Sequence, residues 1–131
     1  MKDIFKPQDK KTHSFSVKKS DFATFEAGTV HKVCSTFSLG REMEWSSRLF
    51  VEEMLEPHEV GIGTFLNIDH HSPALLGEEI ELIATYDGIK KNEVVCSIEV
   101  KVGERVIATG TTGQKILLRE KINQIFASLE R

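Results

Sequence analysis

The sequence predicts a single α+β domain, residues 1–131, in which one antiparallel sheet curls around one long helix. Three observations carry this prediction. Several segments alternate apolar and polar residues, one long segment has helical spacing, and a Gly-Glu turn joins two of the strands directly. A sheet with one apolar face must cover that face, and the long helix is the cover that this chain offers.

The strands are predicted from the period-two alternation of half-buried segments. In the clearest of them, valine, cysteine and isoleucine side chains alternate with Ser97, Glu99 and Lys101. Gly103 and Glu104 then make a tight turn into the next strand, which indicates antiparallel pairing. The five predicted strands cover residues 12–17, 61–71, 79–86, 94–102 and 105–118.

The long helix is predicted over residues 37–56. Apolar and small side chains recur there with steps of three and four, which places them on one face. Pro57 cannot continue a helix and marks its end. The small residues in this stripe indicate that a sheet lies close against the helix backbone. The stripe consists of Gly40, Met43, Ser47, Phe50 and Met54.

Together these elements predict the hot-dog fold, a curved antiparallel sheet around a central helix, followed here by a short amphipathic helix over residues 119–131. One protomer of this kind leaves a sheet edge and part of the helix uncovered, so we expect a homodimer. Residues 18–33 contain Phe22 and Phe25 without a clean period. They are predicted to form a loop that covers a core edge or a ligand.

Composition and charge exclude several classes of protein. The formal net charge is −3, whereas a nucleic-acid-binding domain needs a basic face. No apolar run is long enough for a membrane helix or a secretory signal, so we expect no membrane association. Cys34 and Cys96 are too few for a disulfide framework, which favours reduced thiols and a cytoplasmic location. There is no phosphate loop, nucleophile elbow or metal-binding spacing, and we expect neither a metal nor a bound cofactor.

Four polar residues near the predicted helix are candidates for chemistry. Glu44 lies on or beside the buried stripe, where a carboxylate must be paired, hydrogen-bonded or functional. Thr36 is predicted to cap the helix, at an end whose amides can also stabilise an oxyanion. His70 and His71 are neighbours on a strand, so they face opposite sides and cannot share a metal ion. A solvated glutamate, a plain N-cap and a structural histidine remain open alternatives.

These residues also resemble a known family. The matching stretch contains Ser35-Thr36, then Met43-Glu44-Trp45, Leu55-Glu56-Pro57 and Gly61-Ile62-Gly63-Thr64. It ends with His70 and Gly77. This spacing resembles the fluoroacetyl-CoA thioesterase branch of the hot-dog superfamily. The resemblance implies that Thr36, Glu44 and His70 are catalytic, and it favours His70 over His71. It also implies that Gly63 lines the acyl site, with Val30 and Phe37 as further substrate contacts.

Two positions depart from the family pattern. The fluoroacetyl-selective enzyme has a bulky aromatic gate before the threonine, where this chain has Val30. An arginine near the end of the last strand is replaced by Gln114. The resemblance therefore implies shared catalytic machinery without the fluoroacetyl selectivity.

The function that we predict is hydrolysis of a short acyl-CoA thioester, with Glu44 as base or nucleophile. Coenzyme A then enters as part of the substrate. Two alternatives stay open at this point: a non-catalytic acyl-CoA-binding protein, and a hot-dog hydratase acting on an enoyl or hydroxyacyl thioester.

Overall fold

The computed structural model describes residues 1–130 and contains one five-stranded antiparallel sheet, a small hairpin and two α-helices. The strands of the sheet are β1 (Lys10–Ser16), β4 (Glu59–His70), β5 (Glu79–Lys90), β6 (Glu93–Val102) and β7 (Arg105–Leu118). Their order in the sheet is β1-β5-β6-β7-β4, which makes β4 one of the two edges. The predicted sheet around one helix is thus confirmed.

The central helix α1 (Thr36–Met54) contacts all five strands of the sheet. The predicted stripe is buried throughout, and it packs with apolar residues of every strand into one core. The helix and sheet approach closely because Gly110 has no side chain. A Cβ atom at Gly110 would lie 2.0 Å from the Asn67 carbonyl oxygen and 2.7 Å from Met43 Cε.

Residues 18–33 are not a loop, as the sequence suggested, but a hairpin of β2 (Phe22–Phe25) and β3 (Gly28–Cys34). A single 3₁₀ turn over Lys19–Asp21 precedes it. The register of the hairpin shifts twice, between Phe22 and Ala23 and between Ala23 and Thr24. These irregularities break the side-chain alternation, which is why no period is visible in the sequence.

The predicted C-terminal helix is α2 (Arg119–Leu129), and Arg131 lies outside the described residues. Its inner side buries Ile122, whereas Phe126 and Leu129 stay exposed. No helix among residues 1–130 has the length and hydropathy required to cross a bilayer.

Candidate active site

Two adjoining cavities lie at the N-terminal half of α1. The first, of about 650 Å³, lies between that end of the helix and the β2–β3 hairpin and is lined by Phe22, Ala23 and Phe25 among others. The second, of about 410 Å³, lies between α1 and β4 and is lined by Gly40, Glu44, Leu66 and Ile68. Thr36, Phe37 and Arg41 line both cavities, so we describe the two together as the α1 groove.

Thr36 does not cap α1, which corrects the prediction. The N-cap is Ser35, whose hydroxyl accepts a hydrogen bond of 3.0 Å from the Ser38 amide. Ser35 has the extended backbone that an N-cap requires, whereas Thr36 is the first helical residue. Since the neighbouring serine satisfies the helix end, the Thr36 hydroxyl is free to point elsewhere.

The Thr36 hydroxyl reaches His70 at the end of β4. Thr36 Oγ1 and His70 Nδ1 are 2.9 Å apart, and His70 Nε2 lies 3.1 Å from the Ser72 carbonyl oxygen. A carbonyl oxygen only accepts hydrogen bonds, so Nε2 carries the proton of the neutral ring. Nδ1 is then the acceptor for the Thr36 hydroxyl. The ring is held at both nitrogens and aligned with the threonine.

His71 is separated from this site. Its Nε2 lies 2.9 Å from Thr109 Oγ1 on the face of the sheet that points away from α1. Neighbouring strand residues face opposite sides, as the sequence predicts. Among residues 1–130, no three His, Cys, Asp or Glu side chains come together as metal ligands.

Glu44 lies about two turns beyond Thr36 along α1, beside the buried stripe, and its side chain is exposed to the groove. Its carboxylate lies directly against Gly63 of β4. A Cβ atom at Gly63 would be 2.2 Å from Glu44 Oε1, so only glycine leaves room for the carboxylate there. Among the described side chains, none forms a hydrogen bond or an ion pair with this carboxylate.

Gly63 and His70 face the same helix because β4 contains a bulge at Thr64. Seven residues separate Gly63 from His70, and an unbroken strand would place them on opposite faces. In the pairing with β7, Gly63 is opposite Gln114 and Phe65 is opposite Gly113, which leaves Thr64 as the extra residue. The bulge therefore brings the glycine and the histidine to one side of the sheet.

The bulge is held from two sides. The Thr64 hydroxyl donates a 2.6 Å hydrogen bond to Glu93 Oε2 of β6. Phe65 and Thr64 both lie over Gly113, where a Cβ atom would be 2.2 Å from Phe65 Cε1 and 2.8 Å from Thr64 Oγ1. The lack of a side chain at Gly113 thus makes space for the bulge.

The hairpin is attached to the start of α1 through the buried residue Asp21. Its carboxylate accepts the Lys18 amide at 2.9 Å and lies 3.4 Å from Arg41 Nη2, and its carbonyl oxygen accepts the Ser35 amide at 2.7 Å. Sequence reasoning missed Arg41, which lines both cavities, because a lone exposed arginine on a helix gives no signal.

The two further predicted substrate contacts lie at different places. Phe37 lines both cavities and is 81% exposed. Val30 lies on the exposed part of β3, outside the described lining of the α1 groove. Cys34 and Cys96 are free, and burial raises the pKa of each thiol to about 12, so neither is a thiolate at neutral pH.

The comparisons with known proteins concern the fold as a whole. A thioesterase superfamily member from Thermus thermophilus superposes with a TM-score of 0.93 at 26% identity, covering 97% of this chain and 94% of that one. The fluoroacetyl-CoA thioesterase FlK gives 0.88 at 19% identity, covering 98% and 100%. A hot-dog-like protein from Thermanaerovibrio acidaminovorans gives 0.87 at 18% identity, covering 97% and 95%. No curated protein sequence matches the chain significantly.

The fold is therefore the hot-dog fold, and the class of protein is a thioesterase. A family model described as the fluoroacetyl-CoA-specific thioesterase FlK matches residues 17–120, which include β2, β3, α1 and all of β4 to β7. The chain belongs to this family. Structures of FlK variants hold fluoroacetate and CoA in one case and acetyl-CoA in another.

Proposed function

We propose that the protein hydrolyses short acyl-CoA thioesters in the α1 groove, with Thr36, Glu44 and His70 as its catalytic residues. The observation that carries the proposal is their arrangement: Thr36 and Glu44 line one cavity, and His70 is hydrogen-bonded to Thr36. This function is carried out by one domain, residues 1–131, and needs no bound cofactor.

Glu44 is the group that activates water. Its carboxylate is exposed to the groove and has no polar side-chain partner within residues 1–130, so its lone pairs are available to a water molecule. The carboxylate accepts a proton from water while the oxygen adds to the thioester carbonyl carbon. Direct attack by the carboxylate, which would give an anhydride that water then opens, uses the same position.

Thr36 and His70 act as one hydrogen-bonded unit at the thioester. The ring is fixed at both nitrogens, so the Thr36 oxygen keeps a defined position at the first turn of α1. The positive end of the helix dipole lies at the same turn and stabilises the oxyanion of the tetrahedral intermediate. When the C–S bond breaks, the proton that Glu44 took from water passes to the leaving sulfur, so CoA departs as the thiol and the Glu44 carboxylate is regenerated.

The acyl group lies in the groove against Gly63 and Phe37, and Val30 lies further out on the hairpin. Phe22 and Phe25 give the larger cavity an apolar wall, whereas Arg41 at the rim offers a positive charge to the phosphates of CoA. The narrow contact between Gly63 and Glu44 favours a short acyl group at the reacting carbon.

We also propose that the protein is a cytoplasmic homodimer. The edge strand β4 is 12 residues long and contains no proline, so its outer backbone groups are open to pairing. Exposed apolar side chains lie on or beside it: Phe37, Phe65 and Leu66 are each exposed by 38% or more. The two free thiols suit a reducing compartment.

The test is thiol release from acyl-CoAs of increasing length, including one enoyl-CoA, by the native protein and by Glu44→Gln. We expect turnover of short chains, and a rate about 10²–10⁴-fold lower in the variant, as for loss of a general base. Light scattering of both proteins gives the mass of the assembly. The matched control is Glu42→Gln, a change of charge on the same helix outside the groove.

Three outcomes would contradict the proposal. A Glu44→Gln protein that stays within threefold of the native rate would remove Glu44 from the mechanism. Binding without thiol release from any substrate would indicate a binding protein instead. Loss of the enoyl absorbance without thiol release would indicate a hydratase.

A further inference from the structure

A buried polar cluster behind Glu44 joins α1 to β4 and β7. Gln114 of β7 is 1% exposed, and its side chain points at α1 from the position opposite Gly63. Its amide nitrogen donates to Ser47 Oγ at 3.0 Å and to the Glu44 carbonyl oxygen at 3.3 Å. Its amide oxygen accepts from Arg48 Nη1 at 3.2 Å.

The cluster reaches the strand that carries Gly63. Arg48 Nη1 also donates to the Gly61 carbonyl oxygen at 3.0 Å, and the Ser47 hydroxyl donates to the Glu44 carbonyl oxygen at 2.8 Å. Gln114 therefore meets a donor, Arg48, on one side and an acceptor, the Glu44 carbonyl, on the other. Only an amide side chain of this length offers both an acceptor and a donor in these places.

We infer that Gln114 is a positioning residue for Glu44, and that Arg48 works with it. This inference rests on the proposed function of Glu44. Because no described side chain holds the carboxylate, its place in the groove depends on where the helix backbone lies relative to Gly63. Gln114 donates to the Glu44 carbonyl oxygen, and Arg48 joins Gln114 to the Gly61 carbonyl oxygen. Together they set the distance between α1 at Glu44 and β4 near Gly63.

A positioning role has a kinetic signature. A shift of the carboxylate by a fraction of an ångström leaves substrate binding in place but weakens proton transfer in the transition state. Removing the amide therefore lowers kcat and leaves KM nearly unchanged. A role in stability alone would lower the amount of folded enzyme without changing the kcat of the folded fraction.

The test is Gln114→Met, which keeps the length of the side chain and removes both hydrogen-bonding groups. We expect kcat to fall about tenfold and KM to stay within about twofold. The matched control is Thr112→Val on the same strand. Thr112 is also 1% exposed, and its hydroxyl has no hydrogen-bond partner among the described residues, so this change leaves kcat and KM as in the native enzyme.

Arg48→Met provides a second variant, because this side chain is partly exposed and its loss does not open the core. We expect a fall of about threefold in kcat with KM unchanged. If Gln114→Met fails to fold, Arg48→Met decides the question alone. A native kcat in whichever of these variants fold, together with a Glu44→Gln protein that has lost activity, would overturn the inference and leave the proposed function standing. An active Glu44→Gln protein would overturn both.

Discussion

The two halves of α1 are built for different purposes. In the second half, Phe50 is fully buried and its ring lies 4.9 Å from that of Phe5 and 5.6 Å from that of Tyr86. In the first half, Thr36 and Glu44 point into an open groove. One helix thus carries both a fully buried aromatic contact and the two residues that we propose as catalytic. Stability and activity should therefore respond to different substitutions along a single element.

The largest effect is expected from breaking the buried half with Phe50→Ala. Removal of this ring leaves a cavity within the aromatic cluster and should lower the free energy of unfolding by about 3–5 kcal/mol. Urea denaturation followed by circular dichroism measures this loss. The folded fraction should keep its kcat within about twofold, because no reacting group touches Phe50. A loss below about 1 kcal/mol would show that the second half is not the main support of the core.

Substitution of two glycines of β4 compares the two halves of α1 directly, because Gly61 faces the second half and Gly63 faces the first half. A Cβ atom at Gly61 would lie 2.6 Å from Val51 Cγ1, a core atom that cannot move aside, whereas one at Gly63 meets only the flexible end of Glu44. Gly61→Ala should therefore cost about 1–3 kcal/mol of stability, and its kcat should fall less than that of Gly63→Ala, because Gly61 is linked to Glu44 only through Arg48. Gly63→Ala should leave stability unchanged and lower kcat about tenfold, because the carboxylate is displaced.

Each glycine variant is the control for the other, with unfolding and thiol release measured on both. Equal losses of stability in the two proteins would contradict the division of α1 into two halves. A native kcat in Gly63→Ala would show that the Glu44 carboxylate does not need the space beside the glycine.

The sequence predicts those elements of the fold whose pattern is contained within the element itself. The stripe of α1 and the alternation in β6 and β7 are repeated along each element, so these elements were predicted almost to the residue. The hairpin Phe22–Cys34 was missed because two register shifts erase its period. The sequence predicts the N-cap one residue late, because serine and threonine both cap helices and only the backbone decides between Ser35 and Thr36.

For the site, the sequence shows that His70 and His71 face opposite ways, and the family resemblance selects His70. The sequence does not show that Gly63 shares a face of the strand with His70. The two residues are seven positions apart, an odd number that in a regular strand places them on opposite faces. The bulge that brings them to one face depends on Gly113 in another strand, β7. Gln114 was likewise seen only as a departure from the family pattern. Its contacts with α1 join residues about 70 positions apart in the chain, which local patterns do not contain.

The smallest effect is expected outside both halves, at the turn behind His70. Glu78 accepts the Leu75 amide at 2.7 Å and pairs with Arg105 at 2.8 Å, and these contacts hold its pKa below the usual 4.5. A lowered folded-state pKa adds stability above about pH 4.5, which disappears as the pH falls through the folded value. Glu78→Gln should thus lower Tm slightly at pH 7, and the difference should vanish in acid. A difference that persists in acid would assign the effect to packing.

The bulge at Thr64 has a consequence for how this strand can change over evolutionary time. Side chains along a strand alternate between the two faces of the sheet, and one extra residue exchanges the faces of all residues that follow it. Deleting one residue of β4 while the bulge stays would turn the side chains beyond the deletion to the opposite face. Deleting Thr64 would remove the bulge itself and leave Gly63, Leu66, Ile68 and His70 on the face towards α1. The length of the strand and the presence of the bulge must therefore change together, and we expect family members with paired glycine and histidine positions to have both the extra residue and the bulge or neither.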